Sequence, residues 1–325
     1  MKIAFLGTPE FAVPSLKMLI ENGHEIRVFT QPDRPKGRGK ALQMPPVKEF
    51  ALENGLEVMQ FERIRSAEGA AALNAFAPDL MVTAAFGQIL SQENLDAPKY
   101  GCINVHGSIL PKYRGASPIQ TAIICGERVT GITTMMTDIG MDTGDILMTR
   151  ETEIGDAETY GELYLRLALI GAELLKDTIA ALENGTLTRT KQDDELATRC
   201  KTIKKSDAFI DFSLPTKRIH DLVRGMNPSP CAHALLNGES VKIHKTRPIG
   251  ETDELYLEAK NTLETARCGE CVVASSKLGL AVKTGDGVIE IVEIQFPNAK
   301  RMEARSALNG KKLLGEMFYI NEERC

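Results

Sequence analysis

The sequence predicts an α/β fold with a doubly wound, mostly parallel sheet, followed by a smaller C-terminal domain of the OB-like β-barrel type. In the first half, short apolar runs alternate with helical patterns, which is typical of buried parallel strands joined by helices. The polar stretch 186–206 then interrupts this alternation. Beyond it, short strand patterns follow one another with Asn-Gly and Gly-rich turns, as they do in small barrels.

The elements of the first half can be placed in chain order. KIAFLG ends at Gly7 and Pro9, and a helix is expected from there to about Gly23. The strands expected in the sheet are 2–7, 25–31, 56–60, 79–86 and 101–107, with an Ala-rich helix between the third and fourth. The segments 130–138 and 144–154 predict an antiparallel pair around a Gly-rich loop, and a long helix is expected over 158–183.

The chain of 325 residues is long enough for two domains, each with its own core. We expect a first domain over 1–185 and a second over 207–325, with hairpins at the Asn237-Gly238 turn and at 284–287. The stretch 186–206 is charged and poor in aromatic residues, so it is expected to be a linker.

The composition, 43% hydrophobic and 26% charged, is that of an ordinary soluble protein. The net charge of -5 argues against wholesale coating of nucleic acid, but the charge is uneven. Residues 1–200 carry 20 Lys or Arg against 27 Asp or Glu, a net charge of -7, whereas residues 201–325 carry 19 against 17, a net charge of +2. The overall negative charge therefore does not exclude a local basic site.

A cytoplasmic location, without membrane attachment, is expected. The start of the chain has no signal-peptide pattern, and no apolar run approaches the ~18 residues that a membrane span needs. Seven scattered cysteines do not suggest a disulfide framework. Cys268 and Cys271 lack a second ligand pair, so no metal site is expected.

Three polar residues predict a site for acyl transfer. Asn104 and His106 are two apart on an expected strand, so their side chains lie on one face, and Asp142 follows in a Gly-rich acidic loop. An amide, an imidazole and a carboxylate can supply an oxyanion donor, a proton carrier and an orienting or accepting anion. None of the three is a ready nucleophile, so the attacking group is expected to belong to a substrate.

A basic insert follows the second strand. In QPDRPKGRGKALQMPPVK, five Lys or Arg side chains oppose Asp33 alone, and its prolines and glycines exclude a regular helix. A solvated charge run and a binding loop are both compatible with this composition. Further basic residues occur at Lys201, Lys204 and Lys205, and at Lys242, Lys245 and Arg247.

Several motifs together resemble one family of enzymes. GTPEFAVPSL, QPDRPKGRGK, AAFGQIL, NVHGSILPKYRGASP and TGITTMMTDIGMDTGDIL resemble successive motifs of the methionyl-tRNA formyltransferases, a branch of the 10-formyltetrahydrofolate-dependent formyltransferases. The resemblance implies a formyltransferase Rossmann-like catalytic domain over 1–185 and an OB-like tRNA-binding domain over 207–325. It implies transfer of a formyl group from 10-formyltetrahydrofolate, as co-substrate, to the amino group of initiator methionyl-tRNA, without a metal.

The resemblance also implies site residues. Asn104, His106 and Asp142 match the catalytic Asn, His and Asp of the family, although which of His106 and Asp142 moves which proton stays open. The segments expected to line the tetrahydrofolate site contain Phe86, Gly87, Gln88, Ile89, Leu90, Ser108, Ile109, Leu110, Pro111 and Asp138. The residues expected to contact tRNA are Arg34, Lys36, Arg38, Lys40, Lys204 and Lys205, with Arg38 the leading candidate.

Three rival interpretations can be distinguished. A formyltransferase for a small amine, such as an amino sugar or nucleotide precursor, would not need the GRG loop or the basic C-terminal domain. A non-catalytic tRNA-binding protein would not need an intact Asn, His and Asp. A nucleotide-dependent dehydrogenase is disfavoured because no GxGxxG or GK[ST] motif is present. A monomer is expected.

Overall fold

The structure is a computed structural model that describes residues 1–36 and 41–320. Contacts divide the chain into two compact units. The first unit is Met1–Ile119, Val129–Glu153 and Leu163–Lys201, and the second is Gln120–Arg128, Ile154–Glu162 and Thr202–Cys325. Most of the stretch 186–206 therefore packs with the first unit.

A mostly parallel seven-stranded sheet forms the centre of the first unit, as the sequence predicts. The strands of this unit are β1 (Lys2–Gly7), β2 (Glu25–Thr30), β3 (Arg34–Lys36), β4 (Ala41–Gln43), β5 (Glu57–Gln60), β6 (Leu80–Ala84), β7 (Cys102–His106), β8 (Arg114–Gly115), β9 (Val129–Met136), β10 (Ile146–Glu153) and β11 (Arg199–Cys200). The order in the sheet is β10-β9-β7-β6-β1-β2-β5. Strands β1, β2, β5, β6 and β7 are parallel, whereas β9 is antiparallel to β7 and to β10.

Local sequence signals mark both ends of the Ala-rich helix. Six helices are α1 (Val13–Glu21), α2 (Pro46–Glu53), α3 (Ala67–Phe76), α4 (Gln92–Asp96), α5 (Pro118–Ile124) and α6 (Tyr160–Glu183). Ser66 caps α3 by accepting a hydrogen bond from Gly69 N, and α3 ends at Ala77 in a left-handed conformation. Helix α6 buries one apolar face that includes Leu163, Leu167 and Leu175.

The central strands of the first unit are continuous apolar runs because both of their faces are buried in the core. Every residue of β6 is buried, as are Ile3, Phe5 and Leu6 of β1. Helices cover both faces of such strands, so neither face carries a regular polar alternation. Burial of each large apolar side chain contributes about 1.5–3 kcal/mol, which makes these central strands the stable support for the loops at their carboxyl ends.

The basic insert contains more regular structure than the sequence suggests. Its described ends form an antiparallel hairpin in which Arg34 pairs with Gln43 and Lys36 with Ala41. The sequence predicts a solvated loop here because Pro35 and the other prolines and glycines exclude a regular helix. A two-stranded hairpin accommodates Pro35 because each of its strands has a free edge. Residues 37–40 lie outside the described part of the chain.

The second unit is built on an antiparallel sheet of short strands. Its elements are α7 (Thr216–Gly225), β12 (His233–Leu236), β13 (Glu239–Pro248), α8 (Glu254–Ala259), β14 (Cys271–Ser275), β15 (Gly279–Lys283), β16 (Val288–Gln295), β17 (Met302–Glu303), α9 (Ala304–Ala307) and β18 (Phe318–Tyr319). The strand order is β14-β15-β16-β13-β12-β18, and β17 pairs with β16. Hydrogen bonds of Cys271 with Gly315 and Glu316, and of Gly269 with Phe318, join the two ends of this order, so the sheet is curled.

Three histidines of the second unit, one buried and two half-buried, make this unit sensitive to acid. Burial is the main cause that lowers the pKa of His220, His233 and His244 from the ordinary value of 6.5. His233 is 3% exposed, and the centroid of its ring lies 4.1 Å from that of Phe209, so an imidazolium there would be poorly hydrated. Each folded histidine therefore binds protons less readily than it does in the unfolded chain.

We expect the free energy of unfolding to fall as the pH decreases from 7.5 to 5.5. The unfolded chain takes up protons below about pH 6.5 while the rings in the folded protein stay neutral, so the contribution of these histidines to stability is full above that pH and is lost on acidification. Denaturant unfolding at several pH values measures this slope. His233→Gln should reduce the slope, and an equal slope in the variant would assign the pH dependence to other groups.

Candidate active site

Asn104 and His106 are placed by strand β7, with a half-buried and a buried side chain respectively. The register of β6 against β7 sets Thr83 beside Asn104, and the Thr83 hydroxyl donates to Asn104 Oδ1 at 2.9 Å. Because this bond engages the amide oxygen, the amide NH₂ group is the end of the side chain that remains for another partner. Nδ2 makes no hydrogen bond with any residue in the described part of the chain.

His106 has an acceptor beside each ring nitrogen. Nε2 lies 3.1 Å from the carbonyl oxygen of Tyr113, so this nitrogen carries a hydrogen. Nδ1 lies 3.7 Å from Oδ2 of Asp142, which is beyond a hydrogen bond but close enough for charge attraction. Each ring nitrogen of His106 therefore faces an oxygen atom of the protein, a main-chain carbonyl on one side and a carboxylate on the other.

Asp142 reaches His106 from the loop between β9 and β10. Its Oδ2 accepts a hydrogen bond from Gly115 N at 2.8 Å, and its backbone is left-handed, with φ of 54°. Gly115 can take part because it has no side chain, since a Cβ there would lie 2.2 Å from the carbonyl oxygen of Cys200. The two loops that follow β7 and β9 therefore meet at the carboxylate.

Strand β7 carries Asn104 and His106, Asp142 approaches His106, and three further residues contact these side chains or the Asp142 loop. Thr83 orients Asn104, Gly115 binds the carboxylate of Asp142, and Gln192 contacts the main chain of the Asp142 loop. The cross-strand neighbour Thr83 could have been found once the strand order was known. Gln192 lies 50 residues after Asp142, and no sequence pattern connects them.

The segment 86–90 lies between the core and the surface. Phe86 and Leu90 are buried, and Ile89 is 69% exposed. The amide of Gln88 accepts from Ile64 N at 2.6 Å and donates to Phe61 O at 2.8 Å. Gly87 has φ of 78°, in the left-handed region that favours glycine. Backbone groups and Ile89 are the parts of this segment that can meet a ligand.

The segment 108–111 also packs mainly inward. Ser108 is fully buried, with its hydroxyl donating to Lys112 O at 2.6 Å, and Leu110 N donates to Thr133 Oγ1 at 3.1 Å. Ile109 is half-buried, and a cis peptide bond joins Leu110 to Pro111. Main-chain groups of this segment are therefore the candidates for ligand contact.

Asp138 lies in the same loop as Asp142 and supports its shape. Its Oδ1 accepts from Gly140 N at 3.0 Å and from Thr143 Oγ1 at 2.7 Å. Ile139 and Met141, the residues between, expose 69% and 66% of their surface. The loop thus presents apolar side chains to solvent on either side of its glycine.

The basic residues selected from the sequence are divided between the first and the second unit. Arg34 forms an exposed ion pair with Glu62 at 2.5 Å. Arg38 and Lys40 lie outside the described residues, and the side chain of Lys36 is likewise not described. Lys204 and Lys205 are exposed at the start of a short 3-10 turn in the second unit.

Within 1–36 and 41–320, no three His, Cys, Asp or Glu side chains are grouped so that they could hold a metal ion. Cys271 is buried, and burial raises the pKa of its thiol to about 12. None of the helices in those ranges is both long and apolar enough to cross a membrane.

Comparison with protein families gives two matches that follow one another along the chain. The model described as formyl transferase matches residues 1–179, and the model described as formyl transferase, C-terminal domain, matches residues 202–312.

Similar proteins cover almost the whole chain. A methionyl-tRNA formyltransferase of Ruminiclostridium cellulolyticum is 49% identical over 314 residues, which are 96% of this chain and 97% of that protein. One of Acetivibrio thermocellus is 46% identical over 314 residues, with the same coverage. Among solved structures, the N-formyltransferase from Helicobacter canadensis, in complex with folinic acid and dTDP-3-aminofucose, has a TM-score of 0.65 at 21% identity and covers 93% of this chain and 100% of its own. At that identity the likeness concerns the fold.

Proposed function

Because the chain belongs to the formyl transferase family, we propose that it transfers a formyl group from 10-formyltetrahydrofolate to the α-amino group of methionine on initiator methionyl-tRNA. The product is formylmethionyl-tRNA for translation initiation. The observation that carries this proposal is the likeness, across both units, to proteins named methionyl-tRNA formyltransferase. The approach of His106 and Asp142 beside Asn104 supports the reaction type.

Asn104 is assigned to the formyl oxygen. When the amine attacks the formyl carbon, negative charge develops on that oxygen, and a fixed N–H donor lowers the barrier. The bond from Thr83 directs the amide NH₂ group toward this task at no cost of reorientation during the reaction. Such donors stabilise a transition state by roughly 3 kcal/mol.

His106 and Asp142 are assigned to the proton transfers. The attacking α-amino group has a reference pKa of about 7.7–8.0, so a useful fraction is neutral before attack. After attack the nitrogen is cationic and must lose a proton, while the folate nitrogen must gain one to leave. Asp142 is an acceptor and His106 a donor that Asp142 stabilises, and these are the two properties that the transfers require.

The folate is assigned to the segments 86–90 and 108–111 and to the loop that carries Asp138. Three features support this assignment: exposed Ile89, the main-chain groups of residues 108–111 and the loop that carries Asp142. In open α/β sheets, ligands bind beyond the carboxyl ends of the parallel strands, and both segments follow such ends.

The tRNA is assigned to the basic insert and to the second unit. We propose that residues 1–185 carry the chemistry, that residues 207–325 bind tRNA through an OB-like sheet, and that residues 186–206 connect them. The contacts expected in the insert are Arg34, Lys36, Arg38 and Lys40, and those expected in the second unit are Lys204 and Lys205. Cytoplasmic location and a monomeric state follow as further expectations.

We expect Arg38→Ala to raise KM for methionyl-tRNA about tenfold, the effect of losing roughly 1.4 kcal/mol, and to leave KM for the folate unchanged. An arginine fork can bind a phosphate or a base edge, and its loss should also reduce the slope of tRNA affinity against salt by about one. Formylation kinetics at several salt concentrations measure both effects. Arg150→Ala, which removes an exposed pair with Asp177, is the matched control. An equal tRNA response in the two variants would remove Arg38 from the interface.

One assay tests the proposed reaction. The enzyme is incubated with labelled 10-formyltetrahydrofolate and, in parallel, with charged initiator tRNA, charged elongator tRNA and an amino-sugar nucleotide. Transfer of label to the initiator species alone is the expected result. Transfer to the sugar amine without transfer to methionyl-tRNA would assign the protein to small-amine formylation.

A further inference from the structure

Residues 192–200, which we call the strap, run alongside the two loops of the candidate active site. β11 within the strap pairs in parallel with β8, and Thr198 binds both Tyr113 N, at 2.8 Å through its hydroxyl, and Arg114 N, at 2.9 Å through its carbonyl. The strap thus fixes the segment whose Tyr113 carbonyl faces His106.

Gln192 is the part of the strap that reaches the Asp142 loop. Its Nε2 donates to the carbonyl oxygens of Asp142 and of Gly144, both at 2.8 Å. Its Oε1 accepts from Nε of Arg114 at 2.9 Å. The amide therefore uses both hydrogens and its oxygen in a single arrangement, which fixes the orientation of the side chain.

Arg114 holds Gln192 from the other side. Its guanidinium is buried, with 4% exposed, and Nη2 lies 2.8 Å from Oδ1 of Asp194, close enough for an ion pair although not aligned for a hydrogen bond. The buried guanidinium of Arg114 donates its Nε hydrogen to the amide oxygen of Gln192. Because this hydrogen bond is charge-assisted, it restricts rotation of the amide.

The Asp142 loop needs such support because of its backbone. Asp142 is in the left-handed region, which Asp and Asn tolerate better than other residues with a Cβ but which is still uncommon, so contacts with its neighbours help to hold it there. The bonds from Gln192 act on the carbonyl groups of residues 142 and 144, on either side of Thr143. They lock the peptide from which the carboxylate projects toward His106.

We propose that Gln192, oriented by Arg114, is a positioning residue that keeps the Asp142 carboxylate within reach of His106 during formyl transfer. This inference rests on the role that the proposed function gives to Asp142. Gln192 itself touches no reacting atom. Its contribution is the geometry of a group that must sit within a fraction of an ångström of its proper place.

Gln192→Glu separates positioning from folding. The carboxylate keeps an acceptor for Arg114, but it has no hydrogen for the carbonyls of Asp142 and Gly144. We expect kcat to fall about 10- to 100-fold, as displacements near 1 Å do, with KM for both substrates and Tm little changed. Gln92→Glu is the matched control, because Gln92 donates only to Asp96 on the surface of α4.

A double-mutant cycle asks whether Gln192 acts through Asp142. In an Asp142→Asn background, Gln192→Glu should cost no further activity, because the carboxylate that it positions is already gone. A full additional loss would overturn the inference. A wild-type enzyme that formylates methionyl-tRNA beside a Gln192→Glu variant of equal kcat would also overturn it and leave the proposed function standing.

Hydrogen exchange tests the same contact without turnover. Gln192→Glu should speed amide exchange in residues 138–145 at least about tenfold, while α3 exchanges as in the wild type. Unchanged exchange in the loop would overturn the inference even if the enzyme had another substrate. A wild type that formylates no methionyl-tRNA, with faster loop exchange in the variant, would instead count against the proposed function alone.

Discussion

Asp142→Asn is expected to lower kcat for formylation by about 10²- to 10⁴-fold, the range for loss of a proton-transfer group. The carboxylate lies 3.7 Å from Nδ1 of His106, and an amide of the same size would neither attract an imidazolium nor take a proton from the attacking amine. The loss should appear in single-turnover experiments at saturating folate and tRNA, because it concerns the chemical step.

The fold should survive this change. Asn tolerates the left-handed backbone of residue 142 as Asp does, and its side-chain oxygen can still accept the hydrogen bond from Gly115 N. Asp177→Asn, which removes an equal charge from an exposed pair with Arg150, is the control and should keep full activity. Near-normal formylation by purified Asp142→Asn would refute the assignment of Asp142.

The position of the candidate site follows from two features that a single sequence contains. Spacing of two along a strand places Asn104 and His106 on one face, and the apolar runs on either side identify the strand. The antiparallel pair of β9 and β10 is also predictable from the sequence, since a Gly-rich loop joins two strand patterns. Together they bring the Asp142 loop to the end of β7.

The contacts that support the site residues could not be predicted from the sequence in the same way. Thr83 faces Asn104 only because β6 lies next to β7, and the order of strands in a parallel sheet is a tertiary property. Gln192 belongs to a polar stretch without periodicity, which indicates a linker when the sequence is considered alone. Its bonds reach a loop 50 residues earlier, so local patterns have no means of specifying them.

The second unit shows a different limit of prediction from the sequence. Turns such as Asn237-Gly238 predicted its hairpins, and β12 and β13 do pair across that turn. The bonds of Cys271 with Gly315 and Glu316, which curl the sheet, join residues more than forty positions apart in chain segments that carry no complementary signal. Short-range turn chemistry predicts neighbouring strands, whereas closure depends on the packing of the whole sheet.

Asn104→Ala is expected to lower kcat about 10²- to 10³-fold, as loss of an oxyanion donor does, while KM for the folate changes little. The amide NH₂ group is the end of Asn104 that Thr83 leaves unengaged, and its hydrogens match an oxygen on which charge grows during attack. Since this charge is small in the bound substrates, the interaction favours the transition state over the ground state.

Two further variants separate the donor from its support. Asn104→Asp keeps the shape of the side chain and the bond from Thr83 but replaces the NH₂ group with an oxygen, so it should lose at least as much activity as Asn104→Ala. Thr83→Val keeps the NH₂ group of Asn104 but removes the hydrogen bond that orients it. A smaller loss in kcat is therefore expected. Asn74→Ala on the exposed face of α3 is the control. If Asn104→Asp retained wild-type kcat, the formyl oxygen would have to be stabilised by another group, and Asn104 would be left with the structural task of binding Thr83.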